Sequence, residues 1–111
     1  MNTREKILTP GDALRQLNSA ASRPALWIGY FDPLLVESIP AGRAPVWVAV
    51  DDPPNPLYPA DARMKLVAAL REVTHVFPYV TGVEFWPFAS VNDLRAQHLT
   101  ARAAFIRHVH A

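Results

Sequence analysis

The chain of 111 residues contains no cysteine. That absence excludes a disulfide-stapled scaffold, a thiolate metal site and a cysteine nucleophile, and it fits a reducing compartment. Glycine is scarce, with four residues, and they form neither a G-x-G-x-x-G nor a G-x-x-x-x-G-K-[ST] run, so both standard phosphate loops are missing. Ser19, Ser22, Ser38 and Ser90 lie in no nucleophile-elbow pattern. No excess of charge of one sign exists either: eleven Lys and Arg stand against ten Asp and Glu, for a net charge of +1. This balance gives no support to a nucleic-acid partner held by bulk charge. Long apolar runs are lacking, so no membrane span is expected. Met1 to Lys6 is mixed in charge and leads into no apolar core, so no signal peptide is expected. The default is a soluble, cytoplasmic protein with no membrane or nucleic-acid partner.

Half of the residues are apolar and 19% are charged, which is the balance of a folded chain rather than a disordered one. The length matches a single domain, here residues 1–111, with enough material to bury a core without staples. Proline is abundant, at eleven residues. Pro53-Pro54-Asn55-Pro56 and Pro59 exclude helix and central strand and predict a stiff, extended loop.

Ala25 to Phe31 and Pro45 to Val50 are short, almost wholly apolar runs rich in aromatic and β-branched residues, as strands covered on both faces require. His75 to Val80 is a third strand candidate and Val83 to Trp86 a fourth. Helical spacing marks Gly11 to Ala21, with Thr9 or Asp12 as N-cap. It marks Ala60 to Val73 most clearly, through Met64, Leu66, Val67, Leu70 and Val73, and also Leu94 to Val109. Strands alternating with helices predict an α/β, Rossmann-like three-layer domain with a small, mainly parallel sheet of three to four strands. Only Pro33 to Ala44 joins the first two strands, and Pro40-Ala-Gly42 interrupts it, so the first crossover is short.

Ligands of open α/β sheets bind outside the carboxyl ends of the strands. Those ends carry Asp32 after the first strand and Asp51-Asp52 after the second. Asp32 before Pro33 reads first as a helix N-cap followed by an N1 proline. Asp51 and Asp52 precede no helix directly, so capping and Mg²⁺ or ribose binding stand level there. Gly29, followed by Tyr30 and Phe31, allows a backbone or ligand to approach closely.

These residues carry a resemblance. Arg4-Glu-Lys-Ile-Leu-Thr9, then Ile28-Gly-Tyr-Phe-Asp32 and Pro33-Leu-Leu-Val36, resemble the nucleotidyltransferase superfamily named for its H-x-G-H signature. The likeness is to the heptose 1-phosphate adenylyltransferase domain and related cytidylyltransferases. Val46 to Asp51 is similar to that family's second strand, and Pro56, Arg63, Leu66, Leu70 and Val73 to the pattern on its next helix. The resemblance implies nucleotidyl transfer from a nucleoside triphosphate, with Mg²⁺, to a phosphorylated sugar or alcohol. Taken with the strand-end and helix readings, the nucleotide-binding candidates are Gly29, Tyr30, Phe31, Asp32, Asp51, Asp52, Arg63 and Arg102. Yet the signature positions hold Leu35, Glu37 and Ser38. Leucine donates no hydrogen bond, and glutamate sets negative charge where phosphates must bind. Each lost donor of this kind costs on the order of 10²- to 10³-fold in rate. The expectation is therefore a catalytically degenerate domain, retaining at most nucleotide or phosphate-ligand binding or a role with a protein partner. Two alternatives stand beside it: an active enzyme using Arg63 or Arg102 in a rearranged phosphate site, and a structural subunit pairing with another copy.

His98, His108 and His110 lack the spacing of a metal site and read as partly exposed histidines of the last helix, so no resident metal is expected. His98 and Arg102 do fall within that helix's apolar arc. A buried arginine there needs an anionic partner, with Asp32, Asp51 or a ligand phosphate as candidates. By its own helix spacing Arg63 lies one position off the apolar stripe, on a solvated face.

Overall fold

The computed structural model describes residues 3–31, 46–54, 56–70 and 73–110. In chain order these form α1 (Thr3–Lys6), α2 (Pro10–Ser19), β1 (Ala25–Gly29), β2 (Val46–Val50), α3 (Ala60–Ala68), β3 (Val73–Pro78), a 3₁₀ turn (Val83–Phe85), β4 (Ser90–Asp93) and α4 (Arg95–His110). The four strands make one sheet in the order β3-β2-β1-β4, parallel at every pairing. The α/β class and the parallel sheet are those the sequence predicts.

Strand alternation divides the apolar residues between two layers. Leu26, Ile28, Trp47, Ala49 and Phe77 project to one face and pack with Ala13 and Leu17 of α2. Val46, Val48, Val50, Val73 and Val76 project to the other and pack with Val67 and Ala68 of α3. All five residues of β2 are buried, because both faces of this inner strand are covered. A register shift between Val46 and Trp47 carries β3 one residue ahead, so His75 lies across from Trp47, with ring centroids 4.7 Å apart.

Local chemistry fixes the ends of the helices. The Thr9 hydroxyl accepts from the Asp12 N–H at 3.2 Å, with Pro10 in the first turn of α2. After the C-terminal end of α3 the Leu70 N–H bonds to Val67 O, and the Leu70 carbonyl accepts both the Val73 N–H at 3.2 Å and Lys6 Nζ at 3.1 Å.

The sequence reading needs three corrections. The helix expected over Ala60 to Val73 stops at Ala68; Leu66 is exposed and Val73 opens β3. The strand expected at Val83 to Trp86 is the 3₁₀ turn, entered through Gly82 at φ 94°, a left-handed conformation that glycine adopts without a Cβ clash. The fourth strand is Ser90–Asp93, whose four residues are all exposed. Pro78 closes β3 at the sheet edge, where a missing donor breaks no inner ladder. The short first crossover lies outside the described residues, together with Asp32, Leu35, Glu37 and Ser38.

Candidate functional site

From β1 the chain reaches β2 on one side, while β4 lies on the other, so strand order reverses between β1 and β4. Such a switch point opens a crevice at the carboxyl ends of the strands. Six residues singled out from the sequence converge there: Gly29, Tyr30 and Phe31 at β1, Asp51 and Asp52 after β2, and Arg63 from α3.

Arg63 is sealed from solvent, at 0% exposure, against its reading as a solvated residue. Nε donates to Tyr58 O at 3.0 Å, Nη1 to Tyr30 O at 3.0 Å and Asp51 O at 2.8 Å, and Nη2 to Asp52 Oδ1 at 2.5 Å. Three backbone carbonyls and one carboxylate thus compensate the buried cation. Asp52, 70% exposed at its side chain, brings the only formal counter-charge among these bonds. The fork joins the ends of β1 and β2 to the loop that enters α3.

Arg95 opens α4 and ties three strand ends together. Its guanidinium bonds both oxygens of Asp93 at the end of β4, with Nη2 2.6 Å from Oδ2, and reaches Asp51 Oδ2 at 3.1 Å. It also lies over the Tyr79 ring just past β3, 4.7 Å from the centroid. Hydrogen bonding to Arg95 holds the Asp93 carboxyl below its ordinary pKa. The Glu84 carboxylate, hydrogen-bonded to the Tyr79 phenol, holds that group above its own. Three carboxylates, Asp51, Asp52 and Asp93, therefore pair with the two guanidiniums, and a fourth, Glu84, adjoins Tyr79.

His98, one turn into α4, is 2% exposed. Its Nδ1 accepts two consecutive backbone N–H groups, from Tyr30 at 3.0 Å and Phe31 at 3.2 Å. Phe31 itself is left-handed, at φ 52°. The imidazole packs edge-on against the Phe31 ring at 4.7 Å. It also presses on Gly29, where an added Cβ would stand 2.4 Å from Cε1 and 2.6 Å from Nδ1. The close approach allowed by Gly29 is therefore taken by a side chain of the same molecule. Burial pushes the His98 pKa down to about 4, so the ring is neutral and Nδ1 is free to accept.

The strand-end carboxylates do not fit a Mg²⁺-nucleotide. Asp51 Oδ1 accepts the Asp52 N–H at 2.8 Å and Oδ2 faces Arg95, while Asp52 Oδ1 faces Arg63. A cation there would sit against two guanidiniums already in place. Among the described residues no group of three or more His, Asp or Glu side chains is arranged to hold a metal ion. The Arg102 side chain lies outside the described residues, as does Asp32. His98 is not a partly exposed helix histidine but the buried member that its place in the apolar arc predicts.

Asp93, Arg95, Tyr79 and Glu84 escaped the sequence reading. The run Asp93-Leu94-Arg95 carried a usable signal, since an aspartate just before a helix caps it: Asp93 Oδ1 accepts the Arg95 N–H at 3.0 Å. At the amino ends of the strands lies an open groove of about 420 Å³, lined by Ala20–Pro24, Trp47 and Thr74. It is mostly apolar, and among the described residues Arg23 is its one charged side chain. Compared with models of known families, with curated proteins and with solved structures, the chain finds no match in any of the three.

Proposed function

We propose that this chain is a nucleotidyltransferase-like domain that no longer transfers nucleotides and serves as a binding or assembly module. One observation carries the reading. The N–H pair at the end of β1, where a phosphate chain would be met, is capped by the Nδ1 of His98. The surrounding charge agrees with it, because three carboxylates already neutralise the two guanidiniums and Glu84 adds a further negative charge beside Tyr79, which repels a triphosphate. Leu35, Glu37 and Ser38 at the signature positions point the same way.

Calorimetry with ATP or CTP and Mg²⁺, paired with a transfer assay on several sugar phosphates, tests this. The expected outcome is no micromolar binding heat and no turnover. Robust turnover that disappears in Asp32→Asn or Arg102→Ala would establish the working-enzyme alternative instead. The assembly role is favoured by β4, an edge strand exposed along its whole length, and by Phe85, 89% exposed on the turn before it. A strictly monomeric mass in light scattering across micromolar concentrations counts against pairing with another copy.

A further inference from the structure

Independently of any nucleotide, we propose that His98 is an acid-sensitive latch: its neutral ring fastens α4 to the end of β1, and its protonation frees the helix beyond its first turn. Among the described residues α4 meets the body chiefly at β1. Leu94, just before the helix, and His98 are buried, whereas Ala96, Gln97, Leu99, Thr100 and Ala103 are exposed. Among the described side chains past Arg95, the buried hold on the helix is therefore this one imidazole. The ring has no lateral freedom, being wedged between Gly29 and the Phe31 ring.

Acid sensitivity follows from valence. Neutral imidazole has one acceptor lone pair, and here it serves two N–H groups, that of Phe31 buried and that of Tyr30 partly so. Imidazolium has none. Protonation at Nδ1 would turn a donor toward the Tyr30 and Phe31 donors and leave both orphaned in a buried site. The charged and titratable groups around the ring are few. From β4, Asp93 favours the protonated form, but burial outweighs it. From β1, Tyr30 and Phe31 meet the ring through backbone N–H groups, and the Tyr30 carbonyl is held by Arg63. On α4 itself, the Arg95 guanidinium is engaged by Asp93 and Asp51.

The sign is fixed by the direction of the shift. A histidine of pKa about 4 when latched, and near 6.5 when released, leaves the latch intact above pH 6.5. Latch strength then falls as pH drops from 6.5 toward 4. At pH 5, where most carboxylates are still ionised, the opening equilibrium should rise on the order of tenfold over pH 7.

Amide hydrogen exchange on the full chain, corrected for intrinsic rates, reads this directly. Wild type should show α4 amides losing about tenfold in protection at pH 5 relative to pH 7, while β2 amides keep theirs. His98→Ala should expose α4 at both pH values. His98→Asn, whose Oδ1 accepts hydrogen bonds without titrating, should keep α4 protected and remove the pH step. Three outcomes would overturn the proposal: unchanged α4 protection in wild type between the two pH values, simultaneous loss in α4 and β2, or an undiminished acid step in His98→Asn.

Discussion

Arg63 and Arg95 stand at neighbouring corners of the same end of the sheet, yet they are used differently. At the corner of α3, β1 and β2, the guanidinium is sealed and gives three of its four bonds to backbone carbonyls. At the corner of α4, β4 and β3, it is 26% exposed and bonds mainly to carboxylates, with the Tyr79 side chain as a further partner. The first arrangement fixes main chain: Arg63 serves as a structural cross-tie, and no side chain can replace its fork. The second joins side chains that water and salt can also satisfy. Neighbouring positive charges at a ligand-binding edge thus need not serve a ligand.

The sharpest way to break this comparison is Arg63→Met, which keeps most of the packing volume and removes every donor. It removes the donor that the Tyr30, Asp51 and Tyr58 carbonyls share and should cost about 3–5 kcal/mol in chemical denaturation. A loss below about 1 kcal/mol would mean that water replaces the fork and the two corners are alike.

An intermediate effect is expected beside them, at Gly29. Gly29→Ala forces the His98 ring to move and should cost about 1–3 kcal/mol. In a double-mutant cycle with His98→Ala that penalty should shrink by about 1 kcal/mol or more, because the obstructing atoms are gone. Strict additivity would mean that the glycine is needed for some other reason.

The smallest effect should be Arg95→Ala, about 1 kcal/mol. Part of it should vanish in 1 M salt, where the Debye length is about 3 Å. An Arg95→Ala loss equal to that of Arg63→Met would erase the distinction drawn here.

The legibility of the sequence follows the same division. β1 and β2 were readable because burial on both faces writes an unbroken apolar run, and α2 because Thr9 and Pro10 mark its start. β4 was not readable. Ser90-Val-Asn-Asp93 is held by its backbone ladder to β1, with every side chain exposed, so no alternation records it. The apolar residues of Val83 to Trp86 imitate a strand, but the chain turns at Gly82 and only Val83 of the 3₁₀ turn is buried. At the site, Gly29, Asp51 and Asp52 were legible from their places at strand ends. Burial of Arg63 was not, since its carbonyl partners at Tyr30 and Asp51 belong to other elements and any residue type supplies a carbonyl. His98 lay between: helical spacing put it inside, while its two N–H partners belong to the end of β1, far away in the chain.

The placement of β4 has a consequence for how the molecule assembles. β1 is an inner strand, yet one of its two neighbours is made more than half a chain length later, at Ser90 to Asp93. Until that segment docks, β1 presents a bare row of amides and carbonyls next to the apolar surface meant for the core. Closure of this distant pairing is expected to come late and to set the pace of folding, and the interval before it is when the chain is most exposed to aggregation.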